Sequence, residues 1–286
     1  MTELNKDQLR KIFHDHLNES SIDFLDTAAG IHSSVIIVQG KNKKYVVKVP
    51  VWEVKIFREV FAYQKWRSII PLPKLYYYDS KVLIQSYIEG LPPNQVRLTP
   101  TEEKELYISL GQIITTMHDT QITGGGFIEM DGQASHSSFA EWVKSWLTEN
   151  LHIWEKSSIN ESHPSSYIKQ YIDIFLQANK LKPSNLLHYD LIDQNIRIDK
   201  STKKITGIID YGDLFAGPPE WDFVRPYIQH YGTDKFNSIL AGYNHPLNIA
   251  DILPLVIIEI AWALPYALEH DQEKLKRFQS ILNATL

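Results

Sequence analysis

The stretch LLHYDLIDQNIRIDKSTKKITGIIDYGD, residues 186–213, constrains this chain more than any other. Ile196-Arg197-Ile198 alternates as a strand does, a second alternating apolar run follows the polar segment 199–204, and that segment has turn composition, so the two runs form a hairpin. The hairpin returns Asp210, at the end of its second strand, towards Asn195, just before its first. His188 and Asp190 lie next to a double leucine, where a polar group costs free energy unless something binds it. Either these groups satisfy one another or they await a ligand.

Around this hairpin the chain divides into two styles. Residues 35–38 (VIIV) and 45–49 (YVVKV) are β-branched runs joined by a Gly-Asn turn composition, and Lys48 sits inside the second. A helix over 52–66 and a strand over 82–86 follow, and the Gly-Pro-Pro break after them marks a lobe boundary. Beyond it, Thr99-Pro100-Thr101-Glu102 is a capping box that opens a helix striped by Leu106, Leu110, Ile113, Ile114 and Met117. Phe139, Trp142, Val143, Trp146 and Leu147 stripe another. Residues 121–136, with Gly124-Gly125-Gly126, are expected to be a loop.

Composition narrows the partners. With 286 residues, 43% apolar and 12% aromatic, the chain can bury a large core in about two lobes. It has no cysteine, which excludes thiolate nucleophiles, disulfides and Cys-ligated zinc. A net charge of −5 disfavours nucleic acid. The N-terminal twenty residues form an amphipathic helix pattern, with no signal-peptide core. The apolar run 252–268 carries Glu259 and two prolines and falls short of the roughly 18 apolar residues of a membrane span, so a buried helix is expected. These features together suggest a cytoplasmic monomer with no membrane or nucleic-acid partner.

The hairpin residues also carry chemistry. A carboxylate (Asp210) and an amide oxygen (Asn195) brought together are the hard ligands that Mg2+ on nucleotide phosphates requires. Asp190, on the same loop, is placed to accept a hydrogen bond from a hydroxyl about to be phosphorylated. His188 reads as a buried structural histidine that fixes this loop, and Asp222 in EWDF as its brace or a helix cap.

His188-Tyr189-Asp190-Leu191 with Asn195 resembles the catalytic loop of kinases, and Asp210-Tyr211-Gly212 resembles their DFG triplet. The resemblance implies that Lys48 holds the α- and β-phosphates and that Glu59, on the following helix, holds Lys48. Only DLFAG, 213–217, separates the triplet from PPEWDF, which leaves no room for the activation segment of a protein kinase. The pattern is instead similar to the aminoglycoside phosphotransferase and related small-molecule kinase family. That likeness also covers IIPLPKLYYYD, LIQSYIEG and LGQIITTMHD, the last a helix ending in histidine.

The resemblance implies an α+β, two-lobe protein-kinase-like fold: a small antiparallel-sheet lobe over residues 1–88 that binds nucleotide, and a mainly helical lobe over 89–286 with the catalytic loop and substrate pocket. The active site is expected between them. Ser86 carbonyl and Ile88 amide would meet the base, with Gln85 as gatekeeper. Gly30 is the single glycine where a protein kinase has three, so backbone amides and Ser33 or Ser34 would cover the phosphates.

The implied activity moves the γ-phosphate of ATP or GTP, with Mg2+, to a small-molecule hydroxyl, foremost that of an aminoglycoside-type antibiotic. A metabolic amino alcohol, sugar or macrolide hydroxyl is the alternative acceptor, and a nucleotide-binding pseudokinase scaffold the non-enzymatic one. Six acids against two bases over 214–270 leave a modest surplus for a polycation. Glu259 belongs to that set and Asp193 is a further candidate, whereas Tyr227, Trp262 and Tyr266 suggest an apolar wall for other hydroxyl compounds.

Overall fold

A computed structural model describes residues 5–29, 33–178 and 183–286. Along the chain run α1 (Lys6–Leu17), β1 (Asp23–Ala29), β2 (Ser33–Gln39), β3 (Lys44–Pro50), α2 (Glu53–Trp66), β4 (Leu75–Tyr78) and β5 (Leu83–Ser86). Then come α3 (Pro100–His118), β6 (Gln121–Ile122), β7 (Gly125–Ile128), β8 (Ala134–His136), α4 (Phe139–Glu155), α5 (Ser165–Ala178) and β9 (Ser184–Leu187). The chain ends with β10 (Ile196–Ile198), β11 (Ile205–Ile208), β12 (Phe215–Gly217), α6 (Val224–Gln229), α7 (Asp234–Gly242), α8 (Ile249–His270) and α9 (Gln272–Thr285). The fold is α+β, with an antiparallel-sheet N-terminal part and a helical C-terminal part.

Two compact units divide the chain. One is Met1–Arg97 with Glu129–Gly132 and Asp193–Asp213, and the other is Leu98–Ile128, Gln133–Ile192 and Leu214–Leu286. In the first, β1-β2-β3-β5-β4 form an antiparallel sheet. Its alternation is that of a half-buried sheet: Val38, Tyr45, Val47, Val82 and Ile84 join Leu9 and Phe13 of α1 in one apolar cluster, while α2 packs Ile56 and Val60 against Leu83. The β10–β11 hairpin belongs to this unit, and Leu91 pairs with Ile198 at its edge.

In the second unit the Thr99 capping box forms as expected and starts α3. Gly111 of α3 and Gly242 of α7 let the two helices cross with their backbones in contact, since a Cβ at Gly111 would fall 2.1 Å from Ile239 O and one at Gly242 2.0 Å from Ile108 O. The segment 121–136 corrects the loop expectation. It supplies β6, β7 and β8 to a sheet ordered β6-β9-β12-β7-β8. Glycine replaces the alternation that marks a strand because β7 runs tight against the start of α4, where a Cβ at Gly125 would sit 2.1 Å from Phe139 N.

α8 also departs from expectation in length. At 22 residues it is, among the described residues, the one helix long and apolar enough to cross a membrane by length and composition. Here it is a core helix: Ile252, Leu255, Val256, Ile257, Ile258, Ile260, Ala261 and Leu264 are buried, and it packs on α4, α5, α6 and α9. The helix continues through Pro265, which has no N–H for the carbonyl of Ala261. Asn150 of α4 supplies the missing donor, its Nδ2 lying 2.9 Å from Ala261 O and 3.2 Å from Trp262 O. Asn150→Ala is therefore expected to cost about 1–3 kcal/mol, and Pro265→Ala to recover part of that loss in a double-mutant cycle read by denaturant unfolding.

Candidate active site

In the first unit the nucleotide-type residues converge on Lys48. Strand β3 presents it from the sheet interior, where it pairs in register with Val35 and Leu83 and is 9% exposed. Its ammonium forms a short ion pair with Glu59 of α2 and a second, at 3.1 Å, with Asp210 Oδ1. Burial disfavours that charge, but Asp210 and Glu59 more than offset it and hold the Lys48 pKa above its ordinary value. The hairpin does what its sequence implied: Ile196 pairs with Ile208, and Ile209 N–H donates to Asn195 O at 2.9 Å, bringing the Asn195 and Asp210 segments together. Asp210 adopts φ 71°, a left-handed conformation costly for a non-glycine residue.

Helix α2 is pinned to the Asp-Tyr-Gly triplet along its length. Arg58 Nη1 donates to Gly212 O at 3.3 Å, Lys55 Nζ pairs with Asp213 at 2.9 Å, and the buried rings of Tyr211 and Trp66 lie 5.8 Å apart. Asp213, the residue after the triplet, is thus the anchor for Lys55. At the other edge Tyr87 N–H donates to Lys44 O, and the side chain of Ile88 fills the space a Cβ at Gly207 would take. Among the described residues the Ile88 amide makes no protein hydrogen bond.

In the second unit the loop 188–190 is built around Asp222. Its Oδ2 accepts from His188 N–H at 3.0 Å and its Oδ1 from Tyr189 N–H at 2.6 Å, while His118 Nε2 lies 3.1 Å from Oδ2. With Nε2–H donating to Asp222, His118 Nδ1 accepts from Tyr243 Oη at 2.8 Å. The helix-terminal histidine and the aspartate of EWDF are thus one device. His188 is fully buried and its Nδ1 accepts from Asp190 N–H at 3.2 Å. Tyr189, at φ 73°, puts left-handed backbone beside Asp190 in this unit, as Asp210 does at the triplet in the first.

Arg225 is the residue that sequence patterns missed. From α6 its Nη1 reaches Asp190 Oδ1 at 2.5 Å and its Nε reaches Glu259 Oε1 at 3.1 Å, with the guanidinium carbon 4.1 Å from the Tyr189 ring centre. Burial disfavours its charge, but Tyr189, Glu259 and Asp190 prevail and raise its pKa. No motif flags an arginine three residues after Asp222, although a charge amid VRPYIQ was the available signal.

The remaining candidates are scattered. Ser34 lies on β2 and Ser86 ends β5, where its Oγ accepts from Lys74 N–H at 2.9 Å. The loop at Gly30 and the Ser33 side chain fall outside the described residues. Asp193, a candidate for contact with the acceptor, is 3% exposed. Glu259 is 2% exposed and already held by Arg225 and, at 3.4 Å, by Tyr189 Oη. The three rings expected to form one wall enter separate clusters: Tyr227 with Tyr231 and Phe236, Trp262 with Trp142 and Trp146, Tyr266 with His270. Tyr227 lies on α6, and on α8 Trp262 is half-buried while Tyr266 is exposed, so the three rings do not share a face.

An antiparallel sheet with a Lys–Glu pair at a DFG-like aspartate, followed by a helical unit holding an HxD loop, defines a kinase-like phosphotransferase. Residues 26–248 match the APH phosphotransferase enzyme family, and the chain belongs to that family. No curated protein matches it. Among solved structures, a thermostable mutant of aminoglycoside phosphotransferase APH(4)-Ia, in ternary complex with AMP-PNP and hygromycin B, aligns with TM-score 0.74 at 15% identity over 99% of this chain and 98% of that one. The streptomycin–ATP–APH(2'')-IIa ternary complex aligns with TM-score 0.67 at 18% identity, over 99% and 97%. The gentamicin–APH(2'')-IIa complex gives 0.65 at 20%, over 100% and 98%. At these identities the likeness is one of fold.

The brace generates a test. Asp222→Asn turns an amide N–H₂ towards a backbone donor that the carboxylate now satisfies, and is expected to lower kcat about a hundredfold by misplacing the loop, with little change in nucleotide affinity. Stopped-flow or steady-state kinetics beside a nucleotide-binding titration would show it; unchanged kcat would remove Asp222 from the positioning of the loop.

Proposed function

We propose that the chain transfers the γ-phosphate of ATP or GTP to a hydroxyl of a small molecule. The observation that supports this most directly is the buried Lys48 ammonium shared by Glu59 and Asp210. In this reading Lys48 carries the α- and β-phosphates, Glu59 fixes Lys48, and the backbone at Ser86 and Ile88 receives the base. Asp190 orients the acceptor hydroxyl and accepts its proton as the phosphoryl group leaves the nucleotide, with Asp222 and His188 fixing the loop. The proposed division of labour assigns the nucleotide to the N-terminal part and the acceptor to the helical part. A cytoplasmic monomer without nucleic-acid or membrane partners is the setting this reading implies.

Asn195 and Asp210 would hold Mg2+. Among the described residues no cluster of three or more His, Asp or Glu forms a resident metal site. Two protein oxygens, with the Asp210 side chain 55% exposed, suit an ion that keeps phosphate and water oxygens in its shell. Bound there, the metal would neutralise phosphate charge.

The acceptor named by the resemblance is an aminoglycoside, the class bound in the hygromycin B, streptomycin and gentamicin complexes of the aligned phosphotransferases. A second reading, a metabolic alcohol, is favoured by the engagement of Glu259 and Asp222 within the protein. Asp190→Ala is expected to retain nucleotide binding while losing about 10²–10⁴ in transfer rate, and chelation of Mg2+ to stop transfer reversibly. Radiolabelled γ-phosphate transfer measures both, and a variant with wild-type turnover would refute the role given to Asp190.

A further inference from the structure

The second unit holds a cavity that the transfer chemistry does not use. Its volume is about 250 Å³, and it opens between the end of α3 (His118, Asp119), strand β9 (Asn185), Glu220 ahead of α6 and the chain after α7 (Tyr243, His245). None of Tyr189, Asp190, Arg225 and Glu259 lines it. We propose that this cavity binds a small organic ammonium compound and that its occupant is an effector of the loop 188–190; the effector role, unlike the binding, rests on the phosphotransferase reading.

The lining is rich in hydrogen-bond acceptors and short of donors. Asp119 and Glu220 bring carboxylates, and among the described residues no lysine or arginine lines the cavity. The ion-pair partner of Asp119 is His245, whose Nε2 lies 3.7 Å away, beyond hydrogen-bond length. Asn185 spends its Nδ2 on the carbonyl of His118 at 2.5 Å, which leaves Oδ1 as an acceptor. The Tyr243 hydroxyl donates to His118 Nδ1 at 2.8 Å, and His118 gives its Nε2–H to Asp222, so neither proton is left for a ligand. The negative field reaches the wall: after burial, the charges of Glu220, Asp222 and Asp119 are what raise the Tyr243 pKa.

A ligand that carries positive charge and several N–H donors completes such a lining. An anion would meet two carboxylates. A resident metal ion needs a closer set of ligands, and among the described residues no three His, Asp or Glu groups form one. Size narrows the class further. At about 30 Å³ per water the space holds roughly eight waters, or an organic ligand of about that many heavy atoms. Pro246 and Leu247, with the Tyr243 ring, supply apolar lining for its carbon skeleton.

What the occupant touches leads to the loop. His118 and Tyr243 line the cavity and begin the chain Tyr243–His118–Asp222, whose carboxylate accepts from the amides of His188 and Tyr189. The rings of this wall are packed together, His118 at 5.5 Å and His245 at 5.3 Å from Tyr243, each edge to face. An occupant that restricts these rings restricts the carboxylate that shapes the loop, and by linkage a well-formed loop tightens binding of the occupant.

The test titrates the full chain calorimetrically with the amines putrescine and ethanolamine, their uncharged isosteres 1,4-butanediol and ethylene glycol, succinate, and Mg2+ alone. At least one amine is expected to bind about tenfold or more tightly than its isostere, and neither succinate nor Mg2+ to displace it. Asp119→Asn and Glu220→Gln should each weaken it about threefold to tenfold, and Leu247→Trp, which fills the cavity without changing its charge, should abolish it. With amine bound, the amides of His188 and Tyr189 are expected to exchange with deuterium about fivefold or more slowly, and nucleotide turnover to shift with them. No amine binding, an isostere that binds as well, displacement by Mg2+, or binding that survives both Glu220→Gln and Leu247→Trp would overturn the site. Bound amine with unchanged exchange or unchanged turnover would overturn the effector role. Slowed exchange in a chain that turns over no nucleotide under any condition would instead defeat the phosphotransferase reading and leave the binding site in place.

Discussion

The burial of one ammonium group organises the first unit. Lys48, 9% exposed within the sheet, would be costly there if unpaired, and Glu59 and Asp210 are the charges that make the position tenable. That requirement ties three separate pieces of chain to one point: strand β3, helix α2 and the end of the β10–β11 hairpin. Arg58 and Lys55 then fasten α2 to Gly212 and Asp213, so the helix that carries Glu59 cannot shift without breaking several charged contacts. In the proposed reading, the arrangement would hold a cation ready for phosphate oxygens at little reorganisation cost.

The second unit solves a different problem, that of keeping a short loop in a strained shape. Tyr189 takes a left-handed backbone that only surrounding structure can enforce. Asp222 enforces it by accepting two successive amide protons, and His118, backed by Tyr243, fixes the orientation of that carboxylate. Stacking of the Tyr189 ring on Phe215 and Trp221 completes the support. A kinase-like loop here depends on a buried His–Asp pair from α3 and the segment before α6, far apart in sequence.

Arg225 changes the meaning of the acid count. Counted along the chain, residues 214–270 have a surplus of acids suited to a polycation. Placed in the fold, three of those acids are engaged within the protein: Asp251 in the capping box of α8, Asp222 on the amides of the 188–190 loop and Glu259 on Arg225. Net charge describes solubility and long-range field; recognition depends on which charges remain uncompensated at a site.

Much was legible in the sequence because its signals were local. The β2–β3 hairpin, the capping box at Thr99, the hairpin joining Asn195 to Asp210 and the helical stripes of α3 and α4 all follow from periodicity and turn chemistry within a dozen residues. The glycine strand β7 was not, because its pairing is decided by what packs against it, and neither was the 22-residue extent of α8, which runs through Pro265 only because Asn150 of another helix supplies the lost hydrogen bond. The kinds of groups proposed for the chemistry were set by the sequence alone: a lysine, three carboxylates and an amide, in an order that resembles that of kinases. Which charges are spent on one another was decided only by tertiary structure, since Arg225 of α6 reaches Asp190 on one side and Glu259 of α8 on the other, each more than thirty residues away, and electrostatic energy depends on distance and burial rather than on position in the chain.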